Sequence, residues 1–221
     1  MITILHLYPR ELGINGDVGN VMALLKRAEW RGLDARVLDH EVGAELPQTA
    51  DLVHIGSGPA SGQELVLDDL RRIAPRLREW SASGVPFVAI AAGWQLLGRT
   101  FQRADGNIVE GAGVFPTDSR ASTKRIVREV WTEDAAGFEN HGSVTTSDDP
   151  GFAWPVARFG GSLATNLHGP FLPMNPAYAD ELLSAAAARS GQALGAGEER
   201  VALVDERAAR SRDAIRARLR L

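Results

Sequence analysis

The chain has 221 residues of balanced composition, 44% of them hydrophobic, and a formal net charge of -4. This length and hydrophobic content suit one large domain with a filled core, and the charge, without any block of lysine or arginine, excludes nucleic acid or an anionic membrane as the main partner. The sequence contains no cysteine, which excludes disulfides, thiolate metal sites and catalysis by cysteine.

The first half of the chain alternates predicted strands with predicted helices. Short apolar runs predict strands, and hydrophobic residues at helical spacing predict helices. In chain order the predicted strands are residues 2–7, 34–39, 51–55 and 85–91, and the predicted helices are residues 21–31, 63–81 and 94–101. Gly32 is expected to follow the first helix as its C′ residue. The alternation predicts an α/β fold with a mostly parallel central sheet and helices on both faces.

The pattern changes in the second half of the chain. Residues 114–115 and 126–132 are predicted strands without long helices between them, so we expect an antiparallel or mixed extension that covers one edge of the sheet. Asn175 is predicted as an N-cap with Pro176 at the first helical position. Residues 198–221 are predicted to form a last helix, with acids early and arginines late, as the helix dipole favours.

These elements suggest one division of the chain. A domain is expected over residues 1–190, followed over residues 191–221 by a hinge and a C-terminal helix. The longest apolar runs, such as residues 85–92, are far shorter than the ~20 residues of a membrane-spanning helix. The N-terminus has no basic leader before an apolar stretch and is not predicted to be a signal peptide. We therefore expect a cytoplasmic protein without a membrane span.

The segment around Ala91 carries the sharpest chemical hypothesis. An apolar strand runs directly into a predicted helix through residues 89–93, with the small-x-nucleophile-x-Gly spacing of a nucleophile elbow. Such a turn exposes its central side chain at a helix N-terminus, where a thiolate is stabilised. The central residue here is Ala91, which has no nucleophilic atom. The spacing alone suits an ordinary strand-to-helix turn equally well.

Other segments supply further candidate groups, each with a purely structural alternative. Gly58 follows a predicted strand and is able to direct backbone N–H groups at an oxyanion, although such glycine loops are common. His168 comes after the elbow in the chain order of a general base, although a lone histidine is more often structural. Arg125 suits a carboxylate ligand or a solvated strand surface. The polar cluster of residues 138–142 suits the lining of a pocket or the cap of a turn.

Together these segments resemble the CobQ/CobB-like, class I-type glutamine amidotransferases. The resemblance is strongest to the glutaminase subunits of bacterial lipid II isoglutaminyl synthases, and it covers about residues 1–185. It rests on ordered motifs that include Leu7-Tyr8-Pro9, Gly16-Asp17-Val18-Gly19-Asn20, Trp94-Gln95-Leu96-Leu97-Gly98, Gly137-Phe138-Glu139-Asn140-His141 and Leu167-His168-Gly169-Pro170.

The resemblance implies a role for each candidate residue. The family's nucleophilic cysteine falls on Ala91, and its general-base histidine falls on His168. The implied substrate-binding set, for glutamine and its oxyanion, is Arg125, Gly58, Ala92 and Gln95. In active relatives the thiolate attacks the side-chain amide of glutamine, ammonia leaves, and water hydrolyses the thioester. A Mur-ligase-like partner, expected as the second half of a heterodimer, uses the ammonia with ATP to amidate a glutamate of the peptidoglycan stem peptide. No cofactor or metal is implied.

Several departures from the family pattern surround the same pocket. The elbow usually reads Cys-Gly-Gly-Tyr-Gln and here reads Ala91-Ala92-Gly93-Trp94-Gln95. The loop after the third strand is Gly-Gly-Gly-Gln in the family and Gly56-Ser57-Gly58-Pro59 in this chain. The loop that precedes His168 is shorter than in the family and consists of residues 158–162. Coordinated departures of this kind are more typical of natural decay or repurposing than of an engineered knock-out.

Three functional hypotheses therefore remain. The chain is the glutaminase subunit of a cell-wall amidotransferase, or a natural pseudoenzyme that acts as a scaffold or regulator of a ligase, or a free-standing binder of glutamine or another amide. All three predict a pocket at the C-terminal ends of the strands, because ligands bind there in open α/β sheets. We expect Ala91 and His168 to face each other across it.

Overall fold

The computed structural model describes residues 1–221, which form two β-sheets with helices packed around them. The first half contributes, in chain order, β1 (Ile2–Leu7), α1 (Val18–Trp30), β2 (Ala35–His40), β3 (Leu52–Ile55), α2 (Ala60–Ala82), β4 (Phe87–Ile90) and α3 (Ala92–Leu97). The second half contributes β5 (Thr100–Gln102), β6 (Ile108–Glu110), β7 (Asp118–Trp131), β8 (Ala136–Thr146), β9 (Val156–Phe159), β10 (Ser162–Thr165), β11 (Leu167–His168), α4 (Phe171–Met174), α5 (Pro176–Arg189) and α6 (Glu199–Leu219). None of the helices combines the length and apolar character that crossing a membrane requires.

The first sheet is the parallel core that the alternating pattern predicts. Its six strands lie in the order β2-β1-β3-β4-β10-β9, and every neighbouring pair is parallel except β10 with β9. One buried apolar cluster joins the strands to α2, and a second joins them to α1 and α5. Strands β1, β3 and β4 are buried along their whole length because helices cover both faces of the sheet. The predicted α/β fold is confirmed.

The second sheet is formed by the later part of the chain. Its five strands lie in the order β11-β8-β7-β5-β6, and the long pair β7 and β8 is antiparallel. The register of that pair is interrupted between Ala121 and Ile126. Such an irregularity redirects the side chains of the bulged strand, and Arg125 lies within it. The predicted antiparallel or mixed second half thus forms a separate, mixed sheet in which β5 is parallel to β7, whereas β9 and β10 join the first sheet.

Near the start of the second half, the extent of one predicted helix and the presence of one predicted strand are wrong. The helix predicted over residues 94–101 ends at Leu97, because Gly98 has extended dihedral angles (φ -68°, ψ 179°) and the chain enters β5 at Thr100. Residues 114–115 are not a strand. Their backbone N–H groups both donate to the carbonyl oxygen of Leu97, which folds this segment against the end of α3.

Two predicted helix ends are confirmed. Gly32 follows α1 with a φ of 75°, a left-handed conformation that favours glycine. Asn175 and Pro176 open α5 as its N-cap and its first residue. The side chain of Asn175 does not cap the helix, however. It accepts from the backbone N–H of Ala136 and donates to the carbonyl oxygen of the same residue, both at 2.8 Å, and so ties α5 to β8.

The C-terminal helix packs back onto the rest of the chain. Residues 191–198 contain no helix or strand, and α6 then lies against α1, α4, β7 and β8. The buried guanidinium of Arg27 in α1 contacts Asp180 of α5 and Asp205 of α6, each at 2.6 Å. Arg27 therefore links α1, α5 and α6 through two ion pairs.

Candidate active-site cleft

The turn after β4 holds Ala91 in a strained backbone conformation. Ala91 has φ 45° and ψ -101°, a region that residues with a side chain rarely occupy. Its N–H donates to the carbonyl oxygen of Thr165 in β10 at 2.9 Å, and its own carbonyl oxygen accepts from the N–H of Gln95 at 3.1 Å. The neighbouring strand and the following helix thus fix the turn. A strained residue between a strand and a helix is the geometry of a nucleophile elbow.

Gly93 lets the elbow pack directly onto the end of β3. A Cβ atom at this position would lie 2.6 Å from the carbonyl oxygen of Gly56 and 2.8 Å from that of Ile55. Both contacts are shorter than van der Waals packing allows, and both partners are backbone atoms. The small residue two positions after Ala91 is therefore a steric requirement of this turn.

A cleft of about 390 Å³ opens beside the elbow, at the C-terminal ends of β3 and β4. Five of the six site residues expected from the sequence line it, namely Ala91, Ala92, Gly58, Gln95 and Arg125. Its position matches the general rule that ligands of open α/β sheets bind beyond the carboxyl ends of the strands.

Backbone and amide donors lie on one side of this cleft. Ala92 is the first residue of α3, so its N–H has no acceptor within the helix. Gly58 is confined by the preceding loop, because a Cβ there would lie 2.4 Å from the carbonyl oxygen of Glu11. The Gln95 side chain donates to the Ser143 hydroxyl at 2.9 Å and accepts from the Gln63 amide at 3.0 Å. Two hydrogen bonds thus hold the Gln95 side chain in place on this wall.

Arg125 forms the opposite wall. It projects from the interrupted register of β7 and β8, and its Nε donates to Oδ1 of Asn140 at 2.9 Å. The same residue also lines a groove of about 730 Å³, so the cleft and the groove lie next to each other at Arg125. A guanidinium at this junction is able to bind a carboxylate in either space.

His168 does not line the cleft. It lies on β11 with only 2% of its surface exposed, and its Nδ1 is 3.3 Å from Oδ1 of Asp17. The other carboxylate oxygen of Asp17 accepts from the N–H of Ser57 at 2.8 Å, and Ser57 is part of the cleft wall. The Nε2 atom of His168 has no hydrogen-bond partner. The histidine is therefore connected to the cleft through Asp17 and Ser57.

The polar cluster of residues 138–142 contributes a second histidine, to which the sequence assigned no chemical role. His141 lines the cleft, and the buried carboxylate of Glu139 lies two residues earlier on the same face of β8. Burial alone would raise the pKa of Glu139. The nearby His141 and hydrogen bonds from Trp154 and Arg128 more than reverse that effect and lower the pKa to about 2. The Glu-x-His spacing was the available signal for this pair.

Comparison with known proteins agrees with this geometry. The family profile described as a CobB/CobQ-like glutamine amidotransferase domain matches residues 3–176. The chain belongs to this family. Among similar curated proteins, the lipid II isoglutaminyl synthase (glutamine-hydrolyzing) subunit GatD of Staphylococcus aureus is 30% identical over a 209-residue alignment that covers 86% of this chain and 86% of that protein. The corresponding subunit of Streptococcus pneumoniae is 29% identical over a 157-residue alignment that covers 67% of this chain and 60% of that protein.

Solved structures of glutamine amidotransferases share the fold. One from Thermotoga maritima aligns over 99% of this chain and 95% of its own length, with a TM-score of 0.51 at 16% sequence identity. A second crystal structure of a glutamine amidotransferase aligns over 81% of this chain and 94% of its own, with a TM-score of 0.50 at 15% identity. At these identities the likeness supports the α/β fold alone.

Proposed function

We propose that this chain is a non-hydrolysing, glutamine amidotransferase-type subunit of an assembly like lipid II isoglutaminyl synthase. The observation that carries the proposal is the strained elbow whose central residue is Ala91. Two similar curated proteins are named as subunits of that synthase, which supports the assembly. In the proposed assembly the chain binds a Mur-ligase-like partner in the cytoplasm, and the partner amidates a glutamate of the peptidoglycan precursor.

The chemistry of the elbow supports the absence of hydrolysis. Glutamine hydrolysis in this family type needs a nucleophile that forms a covalent acyl intermediate, and the methyl group of Ala91 has no lone pair to supply. Removing the nucleophile of a concerted catalytic set costs roughly 10⁶-fold in rate. Oxyanion donors such as the Ala92 N–H leave only a residual rate over water.

The strain at position 91 supports its assignment as the nucleophile position. A non-glycine residue in such a conformation costs on the order of 1–3 kcal/mol, and an ordinary strand-to-helix turn does not need it. Here Ala91 occupies the strained region although no side-chain chemistry is gained. The combination of an elbow backbone with an inert side chain favours a pseudoenzyme subunit over an ordinary turn.

The test uses the chain purified together with its ligase partner. The complex is supplied with lipid II, ATP and either L-glutamine or ammonium chloride as the nitrogen donor. We expect amidation with ammonium, and ammonia release from glutamine far below the roughly 1 per second of ordinary enzymes. Glutamine-dependent amidation as fast as with ammonium would overturn the non-hydrolysing assignment. Failure of the chain to bind or affect the ligase would overturn the subunit assignment.

A further inference from the structure

Two hydroxyl residues of the chain follow an arginine by three positions. They are Ser81, after Arg78, and Thr123, after Arg120. Protein kinases of the basophilic class select substrates by such charge patterns, in which an arginine lies at a fixed distance from the acceptor hydroxyl. The spacing is the same at both positions, so their surroundings in the fold decide which hydroxyl a kinase reaches.

Ser81 lies in a setting that resists phosphorylation. It belongs to the last turn of α2, it is only partly exposed, and its carbonyl oxygen accepts from the N–H of Gly84 at 2.9 Å. The guanidinium of Arg78 donates to the carbonyl oxygen of Ala112 at 2.7 Å, so this arginine is already engaged. Phosphoryl transfer requires the acceptor hydroxyl in line with the γ-phosphate, and a helical turn held in this way must open first.

Thr123 lies where the pairing of β7 with β8 is interrupted. Between the paired residues Ala121 and Ile126, four residues of β7 lie opposite the single residue Gly142 of β8. These bulged residues are not paired with β8, and Thr123 among them is exposed to solvent. A segment of this kind rearranges at little cost in free energy. A kinase therefore reaches Thr123 without unfolding the sheet.

The hydroxyl of Thr123 is the free one of two adjacent hydroxyls. The neighbouring Ser122 is only partly exposed, and its hydroxyl donates to the carbonyl oxygen of Lys124 at 2.9 Å and accepts from the Lys124 N–H at 3.2 Å. Ser122 is thus occupied in holding the bulge, whereas no such hydrogen bond engages Thr123. The acceptor that this segment offers is therefore Thr123.

Three cations flank this hydroxyl. The segment 120–125 holds Arg120, Lys124 and Arg125 and contains no aspartate or glutamate, although the whole chain carries a formal net charge of -4. The two carboxylates of β7 pair with arginines outside the segment. A phosphate adds a charge of about -1.5 to -2 at neutral pH, and these cations compensate it.

We propose that Thr123 accepts a phosphoryl group from ATP, transferred by a basophilic serine/threonine protein kinase, and that the phosphate withdraws Arg125 from the cleft. The hydroxyl oxygen of Thr123 forms a bond to the γ-phosphorus, and the bond from that phosphorus to the β,γ-bridging oxygen breaks. The hydroxyl proton passes to the catalytic carboxylate of the kinase, and ADP leaves.

The effect on the cleft follows from the partners of Arg125. Its Nε donates to the neutral amide oxygen of Asn140 at 2.9 Å. Arg125 lines both the cleft and the groove, whereas Thr123 lines the groove. A phosphate on Thr123 offers charge-assisted hydrogen bonds, which are roughly twice as strong as neutral ones, so the guanidinium pairs with it and is lost to a ligand of the cleft. This regulation requires neither glutamine hydrolysis nor a ligase and goes beyond the proposed function.

The first test is labelling of the folded, full-length chain with ATP, Mg²⁺ and the catalytic subunit of a cyclic-AMP-dependent protein kinase. We expect one phosphate per chain, located on Thr123 by peptide mass spectrometry, and none on Ser81, which shares the arginine spacing. Thr123→Val should abolish the labelling. Arg120→Gln should lower its initial rate at least about tenfold, because the kinase loses the charge that it recognises.

Arg71→Gln is the matched control for this experiment. It removes the same charge from an exposed arginine of α2 and should leave the rate of labelling within about twofold. Phosphate on Ser81 or Ser122 instead of Thr123, no labelling of the folded chain, or equal losses of rate in the two arginine variants would each overturn the assignment of the site.

Phosphorus NMR of the phosphorylated chain tests the pairing with Arg125. The second pKa of a phosphate ester is ordinarily about 6, and a neighbouring cation lowers it because the cation favours the doubly charged form. We expect a pKa below that value in the phosphorylated chain and a shift back toward it in Arg125→Gln. Identical titration curves with and without the Arg125 guanidinium would refute the effect on the cleft.

Discussion

Ala91 keeps a φ of 45° although an alanine side chain gains no catalytic role from that conformation. Its N–H is bonded to Thr165, and Gly93 seats the following helix against the backbone of β3. These contacts belong to the packing of three adjacent strands and a helix, not to the reaction. At the scale of single residues, contacts within the fold therefore hold the strained turn around an alanine side chain.

The substitution Ala91→Cys tests how much else of the site is intact. We expect little rescue of glutamine hydrolysis, because His168 does not line the cleft and Pro59 supplies no backbone N–H beside Gly58. A misplacement of ~1 Å costs ~10²-fold in rate. Ammonia release measured with the ligase partner present should stay at least that far below the roughly 1 per second of ordinary enzymes. Robust activity would show that only the nucleophile is missing.

Gly93→Ala tests the steric requirement of the elbow. The new methyl group would contact two backbone carbonyl oxygens at 2.6 and 2.8 Å, so the helix must shift. Overpacking of this kind typically costs about 1–3 kcal/mol in the free energy of unfolding. Gly142→Ala is the control, because a Cβ there meets nothing within 4 Å. Urea denaturation should separate the two variants, and equal stabilities would contradict the packing argument.

At the scale of whole elements, α6 is joined to the fold by charge as well as by apolar contact. Arg27 is 2% exposed and contacts the carboxylates of Asp180 and Asp205. Arg218, near the end of α6, contacts Glu129 of β7 at 2.5 Å. The Arg27 side chain is buried in its ion pairs. The pair of Arg218 with Glu129 is mostly exposed to solvent and therefore contributes little to stability.

Arg27→Met tests how much the ion pairs between α1, α5 and α6 contribute to stability. Breaking a buried ion pair costs roughly 3–5 kcal/mol, and the partial exposure of both aspartates reduces the expected loss to about 2 kcal/mol. The comparison is Lys26→Ala, which breaks an exposed pair on the same helix and should change stability by less than about 0.5 kcal/mol. Thermal and urea denaturation measure both, and similar effects of the two changes would refute a role for Arg27.

At the scale of the whole molecule, two histidines in the parallel sheet couple stability to pH. His54 and His6 are buried on adjacent strands, with ring centroids 5.0 Å apart. Burial, and then the neighbouring His6, hold the pKa of His54 well below its usual value. Burial also lowers the pKa of His6, against the opposing effect of Asp39. Both rings therefore stay neutral in the folded protein at pH values where unfolded histidine is protonated.

The expected pH dependence follows from that difference. Because the unfolded chain binds more protons, the histidine contribution is fully present above about pH 6.5 and is lost as the pH falls below it, by up to about 1.4 kcal/mol per pH unit for each proton. The pKa values of Glu139 and Asp69 are lowered to about 2, so the stability that these carboxylates contribute is lost only below about pH 4.5. Urea denaturation between about pH 4.5 and pH 6.5 should show the free energy of unfolding fall as the pH falls. His54→Gln should make this dependence on pH weaker. An unchanged slope in that variant would contradict the assignment.

The sequence by itself determined the architecture and the presence of a tight strand-to-helix turn at Ala91. Hydrophobic periodicity is a local property, so the alternation of strands and helices predicted the parallel sheet correctly, and Gly32 and Asn175 marked the helix ends at which they lie. The spacing of small residues around Ala91 predicted a strand-to-helix turn for the same reason. The C-terminal end of α3 was missed because residues 114–115 pack against Leu97 in place of the predicted longer helix and the predicted strand.

Only the tertiary structure decided which side chains share the cleft. Arg125 reaches it because the register of β7 and β8 breaks beside it, and His141 reaches it because β8 lies next to the elbow. His168 is held apart from the lining by pairing of β11 with β8 and by contact with Asp17. Each of these outcomes depends on strand register and on contacts between residues far apart in the chain. Local periodicity carries no information about such contacts, because the free energy that selects them comes from burial and hydrogen bonding in the assembled fold.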